Sequence, residues 1–403
     1  MMRAPGLLSA AGILVLAAIL LPGCAEPGPR GCPACPEPQC APCVAPAPGP
    51  EARPEPRYEP VAFGELPGWA AGALAPGLQA FVAGCPRIPA ASPLRGACDA
   101  AAGVPPGDEA AARRFVEARF EAWALRSSNG TSEGLVTGYY EPVLAGSRQK
   151  TARFRHPVYG APPDLVSVDL AEVYPELKGM RLRGRLEGNR LVPYWTRAHI
   201  DAREPFPAPV LAWVADPVEL FFLQIQGSGQ IDLGAGARLR LGYADQNGHP
   251  YRSLGRYLVD RGEMRLDQAS MQGIQAWAAA NPGKLREALA ANPSYVFFRE
   301  MPPSEDGPIG TLGTPLAAGY SIAVDPRSVP LGAPVFLATT YPLSTQPLQR
   351  LVAAQDTGGA IRGVVRADFY WGSGAAAGAQ AGRMRQQGRM WILWPRGVPL
   401  RQP

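Results

Sequence analysis

Lysine is almost absent from this chain. Only Lys150, Lys178 and Lys284 occur among 403 residues, so the basic residues behind a formal charge of +5 are nearly all arginine. They are spread along the sequence rather than gathered in a stripe, which counts against a nucleic-acid partner. Histidine is as scarce. His156, His199 and His249 lie far apart, there is no HExxH pair, and no Ser or Cys stands in a nucleophile setting. A hydrolytic triad and a zinc hydrolase are thereby disfavoured. The glycine-rich segments lack the lysine of a phosphate loop, so nucleotide use is disfavoured as well. The reading therefore needs no cofactor and no metal.

Long apolar runs are confined to the first residues. Residues 1–23 have Arg3 at the front and an apolar stretch ending Leu21-Pro22-Gly23-Cys24, which reads as a signal peptide. A Leu-x-Gly-Cys ending resembles the bacterial lipobox, in which the cysteine, here Cys24, is acylated and anchors the chain. Ala25 in the next position resembles lipoproteins sent on to the outer membrane. Residues 24–60 are nearly all Pro, Ala, Gly, Glu and Cys, a composition that makes an extended tether. Cys32, Cys35, Cys40 and Cys43 lie within it, too close and too proline-rich for a zinc ribbon, and disulfides suit an exported chain better. Cys85 and Cys98 bracket a short loop as a candidate staple.

What the sequence has in excess is glycine and proline, 46 of each, which favours a loop-rich β protein over a helical bundle. A helix is expected from about Glu109 to Leu125, with Ala112, Val116, Phe120 and Trp123 on one face. A strand follows at Gly134 to Glu141, closed by Pro142. Short β-rich segments run on to Pro250, ending in Glu219 to Gly229. Helical spacing returns with Leu254 and Leu258, Met271 to Ala278, and Leu285 and Leu289, each stopped by Gly or Asn-Pro. Five strands close the chain: Tyr295 to Phe298, Ser321 to Val324, Pro334 to Ala338, Leu351 to Ala354, and Met390 to Trp394. The chain reads as mainly β with flanking helices, one β domain carrying a second inserted into it.

The most informative stretch is Gln355-Asp356-Thr357-Gly358-Gly359, followed closely by Arg366-Ala367-Asp368-Phe369-Tyr370-Trp371. Two carboxylates lie here among glycines, which let a ligand approach the backbone, and aromatics, which suit the flat faces of sugars. An aspartate with apolar neighbours is a candidate general acid. The combination reads as a carbohydrate-cleaving site.

Four stretches in order carry a closer likeness: Thr137-Gly138-Tyr139-Tyr140-Glu141-Pro142, Phe222 to Gly229, Gly242 to Gly248, and the block from Ser321 to Trp394. Together they resemble the membrane-bound lytic murein transglycosylase A family. The resemblance implies a double-psi β-barrel catalytic domain, 61–140 with 251–403, carrying an inserted β-barrel domain, 141–250. It implies glycan strands of peptidoglycan in the groove between them, cleaved without water to give 1,6-anhydro-MurNAc ends. By the same likeness Asp368 is the acid that then acts as base, and Asp325 and Asp356 orient substrate or tune it.

Thr137, Tyr140, Gln226, Ser228 and Asn247 are then substrate contacts. Tyr139 and Tyr140 alternate on a strand, so one of the two faces the groove, and Tyr140 is assigned to it. Asp245 and Asn247 also suit a structural loop. Two other classes stay open: a non-catalytic wall-binding lipoprotein, and a two-carboxylate glycosidase that pairs Glu141 with Asp368. Partners in a wall-synthesis complex fit the reading, but no residue pattern points to one.

Overall fold

The computed structural model describes residues 54–177, 180, 182–304 and 306–400. The leader, Cys24, most of the tether and its four cysteines lie outside them. The chain begins with β1 (Pro56–Val61), α1 (Ala75–Gly84), α2 (Arg95–Ala101), α3 (Glu109–Arg119), β2 (Phe120–Ser127) and β3 (Gly134–Glu141). It continues through β4 (Val143–Ser147), β5 (His156–Tyr159), β6 (Val166–Val168), β7 (Leu182–Glu187), β8 (Arg190–Pro193) and α4 (Arg197–Ala202). Then come β9 (Val210–Val214), α5 (Pro217–Gln226), β10 (Gly229–Gly234), β11 (Ala237–Gln246), α6 (Leu254–Asp260), α7 (Met271–Ala280), α8 (Pro282–Ala290) and β12 (Val296–Met301). The return is β13 (Ser321–Val324), β14 (Pro334–Thr340), β15 (Pro347–Asp356), β16 (Ala367–Ser373), α9 (Gly374–Ala381) and β17 (Arg385–Pro395).

Strand pairing turns this order into two rings. The first sheet runs β1-β2-β17-β14-β15-β13-β16-β3, and β3 also pairs with β17, which closes the last six strands on themselves. The second runs β12-β11-β10-β4-β9-β5, with a parallel bridge from Gly160 to Phe298 joining its two edges. A mainly β chain with two β units and flanking helices is what the sequence led us to expect. Closure removes most of the open edges that would otherwise invite pairing with other chains, leaving β1 as an edge of the first sheet. The last strand of the second ring, β12, lies well past Pro250, so that ring draws on residues from both sides of the central helices.

Each ring has its own core. Phe336, Phe369, Ile322, Val335, Leu351 and Ile392 are fully buried in the first, and Leu144, Val158, Leu223, Ile231 and Phe298 in the second. Each such side chain contributes about 1.5–3 kcal/mol through removal from water. The Cys85–Cys98 disulfide links the turn after α1 to α2 across 13 residues, and closing a loop of that size stabilises by about 3 kcal/mol.

Two local expectations are corrected. The helix that begins at Glu109 ends at Arg119, not Leu125. Its start is fixed by Asp108, whose side chain accepts Ala111 N at 2.8 Å. Beyond Arg119, Phe120, Ala122 and Ala124 are buried with period two while the strand pairs with β1 and β17, and that pairing overrides the helical spacing.

The run from Pro217 to Gln226 is a helix rather than a β segment. Asp216 caps it by accepting from Val218 N and Glu219 N, Pro217 fills its first turn, and Gly227 ends it in the left-handed region at φ 78°. Its apolar residues are continuous because it is covered on two sides. Leu220 and Leu223 face the second ring, and Val218 and Phe221 face α6 to α8.

Candidate active site

The site is assembled by β3, β15 and β16. In the ladder Asp368 pairs with Thr137 of β3 on one side and with Ala323 of β13 on the other, so it sits inside the first ring's wall. Thr137 Oγ1 donates to Asp368 Oδ1 at 2.6 Å. Arg366 Nη2 donates to that same Thr137 oxygen at 2.9 Å, which leaves the hydroxyl proton to point at Asp368. Arg366 is itself fixed by bonds to the carbonyls of Leu135 and Ala367. Among the described residues Asp368 Oδ2 takes no hydrogen bond.

Asp356, at the end of β15, is held quite differently. Its Oδ1 accepts from Thr311 N (2.9 Å), Thr311 Oγ1 (2.8 Å) and Thr357 N (2.9 Å), and its Oδ2 accepts from Tyr139 OH (3.2 Å). Burial pushes the carboxyls of both aspartates up. At Asp368 the opposition comes from Thr137 and Arg366, while the charge on Asp356 pushes the same way as burial. At Asp356 four donors oppose it. Hydrogen bonds to an ionised carboxylate stabilise the ionised form. The donor sets therefore favour the ionised form more strongly at Asp356 than at Asp368. Two carboxyls whose surroundings separate their acidities are the usual signature of an acid and its electrostatic partner.

The other sequence candidates fall elsewhere. Asp325 is buried. Burial alone would raise its carboxyl, but bonds from Arg327 Nε (3.0 Å), Arg327 Nη2 (2.6 Å), Arg327 N (3.2 Å) and Gly363 N (3.0 Å) hold it below the ordinary aspartate range. It supports the segment leading into β16 through the backbone of Gly363.

Tyr140 is not the tyrosine beside the carboxylates. Alternation from Thr137 puts Tyr139 there, and turns Tyr140 against Ala377 and Ala381 of α9, with its hydroxyl on Met271 Sδ. Gln226 Oε1 accepts from Tyr140 N at 3.3 Å, and Ser228 is half-buried in the turn that follows. Asn247 is 1 % exposed and its amide is used up: Nδ2 donates to the carbonyls of Trp195 and Pro293, and Oδ1 accepts from Tyr295 N and His249 N. It ties loops of the second ring together and has no group left for a substrate.

The sequence reading chose Tyr140 over Tyr139 and gave no role to Thr311 or Arg366. Period-two spacing from Thr137 marks Tyr139, and the i, i+2 spacing from Arg366 marks Asp368. Thr311 has no local signal, because it reaches Asp356 across 45 residues.

Comparison with known proteins bears on the whole arrangement. The profile described as "MltA specific insert domain" matches residues 135–299, and the "3D domain" profile matches residues 320–394. The Membrane-bound lytic murein transglycosylase A of Escherichia coli K12 is 33% identical over 295 residues, covering 71% of this chain and 72% of that protein. The chain belongs to the membrane-bound lytic murein transglycosylase A family. Its Vibrio cholerae relative of the same name is 31% identical over 297 residues, 71% of this chain and 73% of that one.

Solved structures of the family superpose as well. MltA from Neisseria gonorrhoeae has a TM-score of 0.78 at 42% identity, covering 86% of this chain and 95% of that chain. LtgG, a lytic transglycosylase of Burkholderia pseudomallei, has 0.59 at 44% identity, over 85% and 96%. E. coli MltA, solved with bound chitohexaose, has 0.63 at 28% identity, over 84% and 94%. The two family profiles meet across the site, since Thr137 and Tyr139 lie in one and Asp356 and Asp368 in the other.

Proposed function

We propose that this chain is a peptidoglycan lytic transglycosylase that cleaves the MurNAc-β-1,4-GlcNAc bond and leaves 1,6-anhydro-MurNAc ends, with Asp368 as acid and then base. The observation that carries the reading is the contrast between a singly bonded Asp368 and an Asp356 saturated by four donors. The proton on Asp368 passes to the glycosidic oxygen as its bond to the MurNAc anomeric carbon breaks, freeing the GlcNAc hydroxyl. The Asp368 carboxylate so formed takes the proton of the MurNAc C6 hydroxyl as that oxygen bonds to the anomeric carbon. The proton balance closes on one carboxyl group and no water is consumed. Asp356 remains ionised throughout and steadies the positive charge that develops at the anomeric carbon.

A hydrolase would need a second carboxylate to activate water. Glu141 is 1 % exposed and bonded to Ser373 and Gln230, and both oxygens of Asp356 are occupied, so neither is placed for that task. Gln226 and Ser228, where the second ring approaches β3, suit contacts to glycan hydroxyls. Acylation of Cys24 would hold the chain at the outer membrane, facing the periplasm. A tether of some 35 extended residues reaches on the order of 100 Å.

The test is digestion of purified sacculi by the protein and by Asp368→Asn, with mass spectrometry of the released muropeptides. Anhydro ends from the wild type and none from the variant are expected. Reducing ends from the wild type would overturn the reaction, and unchanged products from Asp368→Asn would overturn the assignment of the acid.

A further inference from the structure

β3 turns three polar side chains to one face, two residues apart: Thr137, Tyr139 and Glu141. The first holds Asp368 and the second holds Asp356. Glu141 is buried and takes no part in the chemistry above. It stands at the last position of β3, one residue before the chain crosses at Pro142 into β4 of the second ring. Its Oε2 accepts from Ser373 Oγ at 2.6 Å and from Gln230 Nε2 at 2.9 Å. Gln230 belongs to β10, its own backbone N–H bonds to Pro142 O, and its Oε1 accepts from Arg238 Nη1. One carboxylate oxygen thus joins β3, the end of β16 and a strand of the other ring.

The β3–β16 ladder gives this junction a consequence. Asp368 pairs with Thr137 and Ser373 pairs with Glu141, so β16 advances five residues where β3 advances four. The extra residue is absorbed between Tyr370 and Ser373, where Gly372 takes φ +105°. A slip of one residue in this ladder would turn every side chain to the other face. For Asp368 that would mean losing Thr137.

We propose that Glu141 is a positioning residue whose bonds to Ser373 and Gln230 pin this bulge, lock the register that sets Thr137 against Asp368, and fasten it to the second ring. The proposal rests on the reading of Asp368 as the acid. The polar groups that face Asp368 are Thr137 and Tyr139 from β3, Arg366 just before its own strand and Asp356 from β15, while β13 offers Ala323. Loosening the register moves the two β3 groups and leaves the others.

The test uses the full chain on sacculi, with turnover, KM, pH profile and thermal melting measured for Ser373→Ala, Glu141→Gln, Thr137→Val and the double variant Thr137→Val/Ser373→Ala. Ser373 is exposed, so its alanine variant removes one donor without opening the core. Ser373→Ala is expected to lower turnover by roughly tenfold at unchanged KM. It should also move the alkaline limb of the pH profile upward, as Thr137→Val does, because loss of the register takes the Thr137 donor from the ionised Asp368. The double variant should be no slower than Thr137→Val alone.

Wild-type turnover and pH profile in Ser373→Ala would overturn the proposal whatever its melting temperature, and so would additive losses in the double variant. Should Glu141→Gln fail to fold, Ser373→Ala decides. Wild-type product analysis runs alongside: reducing ends there bring down the transglycosylase reading, whereas anhydro ends with an indifferent Ser373→Ala bring down only the register lock.

Discussion

Buried polar side chains that tie loops beside the second ring differ from Asp368 in the first. In the second, Asn247, Arg197 and Asn292 are bonded to backbone groups and hold loops. Asn247 makes four hydrogen bonds. Arg197 donates to the carbonyls of Asn292 and Ser294 while its guanidinium stacks on Phe221 and Tyr295. Asn292 Oδ1 accepts from Arg252 N and Ser294 N. In the first ring Asp356 is as fully satisfied as any of these, but its neighbour Asp368 has one donor. A buried polar group with every partner in place stiffens a fold, and one left short of partners is where reactivity collects. Donor count, more than residue type, sets Asp368 apart from these groups.

The largest effect that would break this comparison comes from Asp368→Asn. Turnover on sacculi should fall by about 10³-fold, while stability moves the other way. Burial raises the folded pKa of Asp368 above its unfolded value. Between those two values the native chain holds a proton that the unfolded chain has released, so stability falls as pH rises through that window. Asparagine removes the dependence, and Asp368→Asn should melt higher than the wild type at neutral pH. A variant that melts lower there would show that the acid's site is not strained.

Asn247→Ala is the counterpart in the second ring. It should lower the unfolding free energy by about 3 kcal/mol in urea melts, with turnover of the folded fraction unchanged. Loss of turnover without loss of stability would put Asn247 back in the site.

Smaller effects sharpen the picture. Thr137→Val keeps the shape and removes one donor, and should slow turnover about tenfold, or about 1.4 kcal/mol of barrier. Because that donor favours the ionised form, the alkaline limb should move to higher pH. A downward move would mean that Thr137 bonds to the neutral acid. Gln226→Ala should raise KM for sacculi by about 1 kcal/mol of binding at unchanged turnover. An unchanged KM would remove Gln226 from the groove.

What could be read from the sequence followed the range of the interactions. Asp356 and Asp368 sit in short glycine- and aromatic-rich runs whose composition drew attention to them. Tyr139 was legible in principle from its spacing to Thr137, but the neighbouring Tyr140 has the same composition and only the strand's register tells them apart. Thr311 and Glu141 act across the fold, the latter on Ser373 at a separation of 232 residues, and nothing local marks such a pairing. Asn247 shows the converse. Its Gly-Tyr-Ala-Asp-Gln-Asn-Gly setting looks like a ligand loop, and only the positions of Trp195, Pro293 and Tyr295 show that the amide is already in use. The helix from Pro217 was marked by Asp216, Pro217 and Gly227, signals outweighed in the reading by its β-favouring Phe and Ile residues.

The central claim is that Asp368, and not Asp356, keeps the proton. Carbon-13 NMR of the aspartate carboxyls across pH, assigned with Asp368→Asn and Asp356→Asn, tests it most directly. The account predicts an Asp368 carboxyl that titrates well above the ordinary aspartate range while Asp356 is already ionised. An Asp356 that holds the proton after Asp368 has lost it would contradict the account and reverse the roles of the two carboxylates.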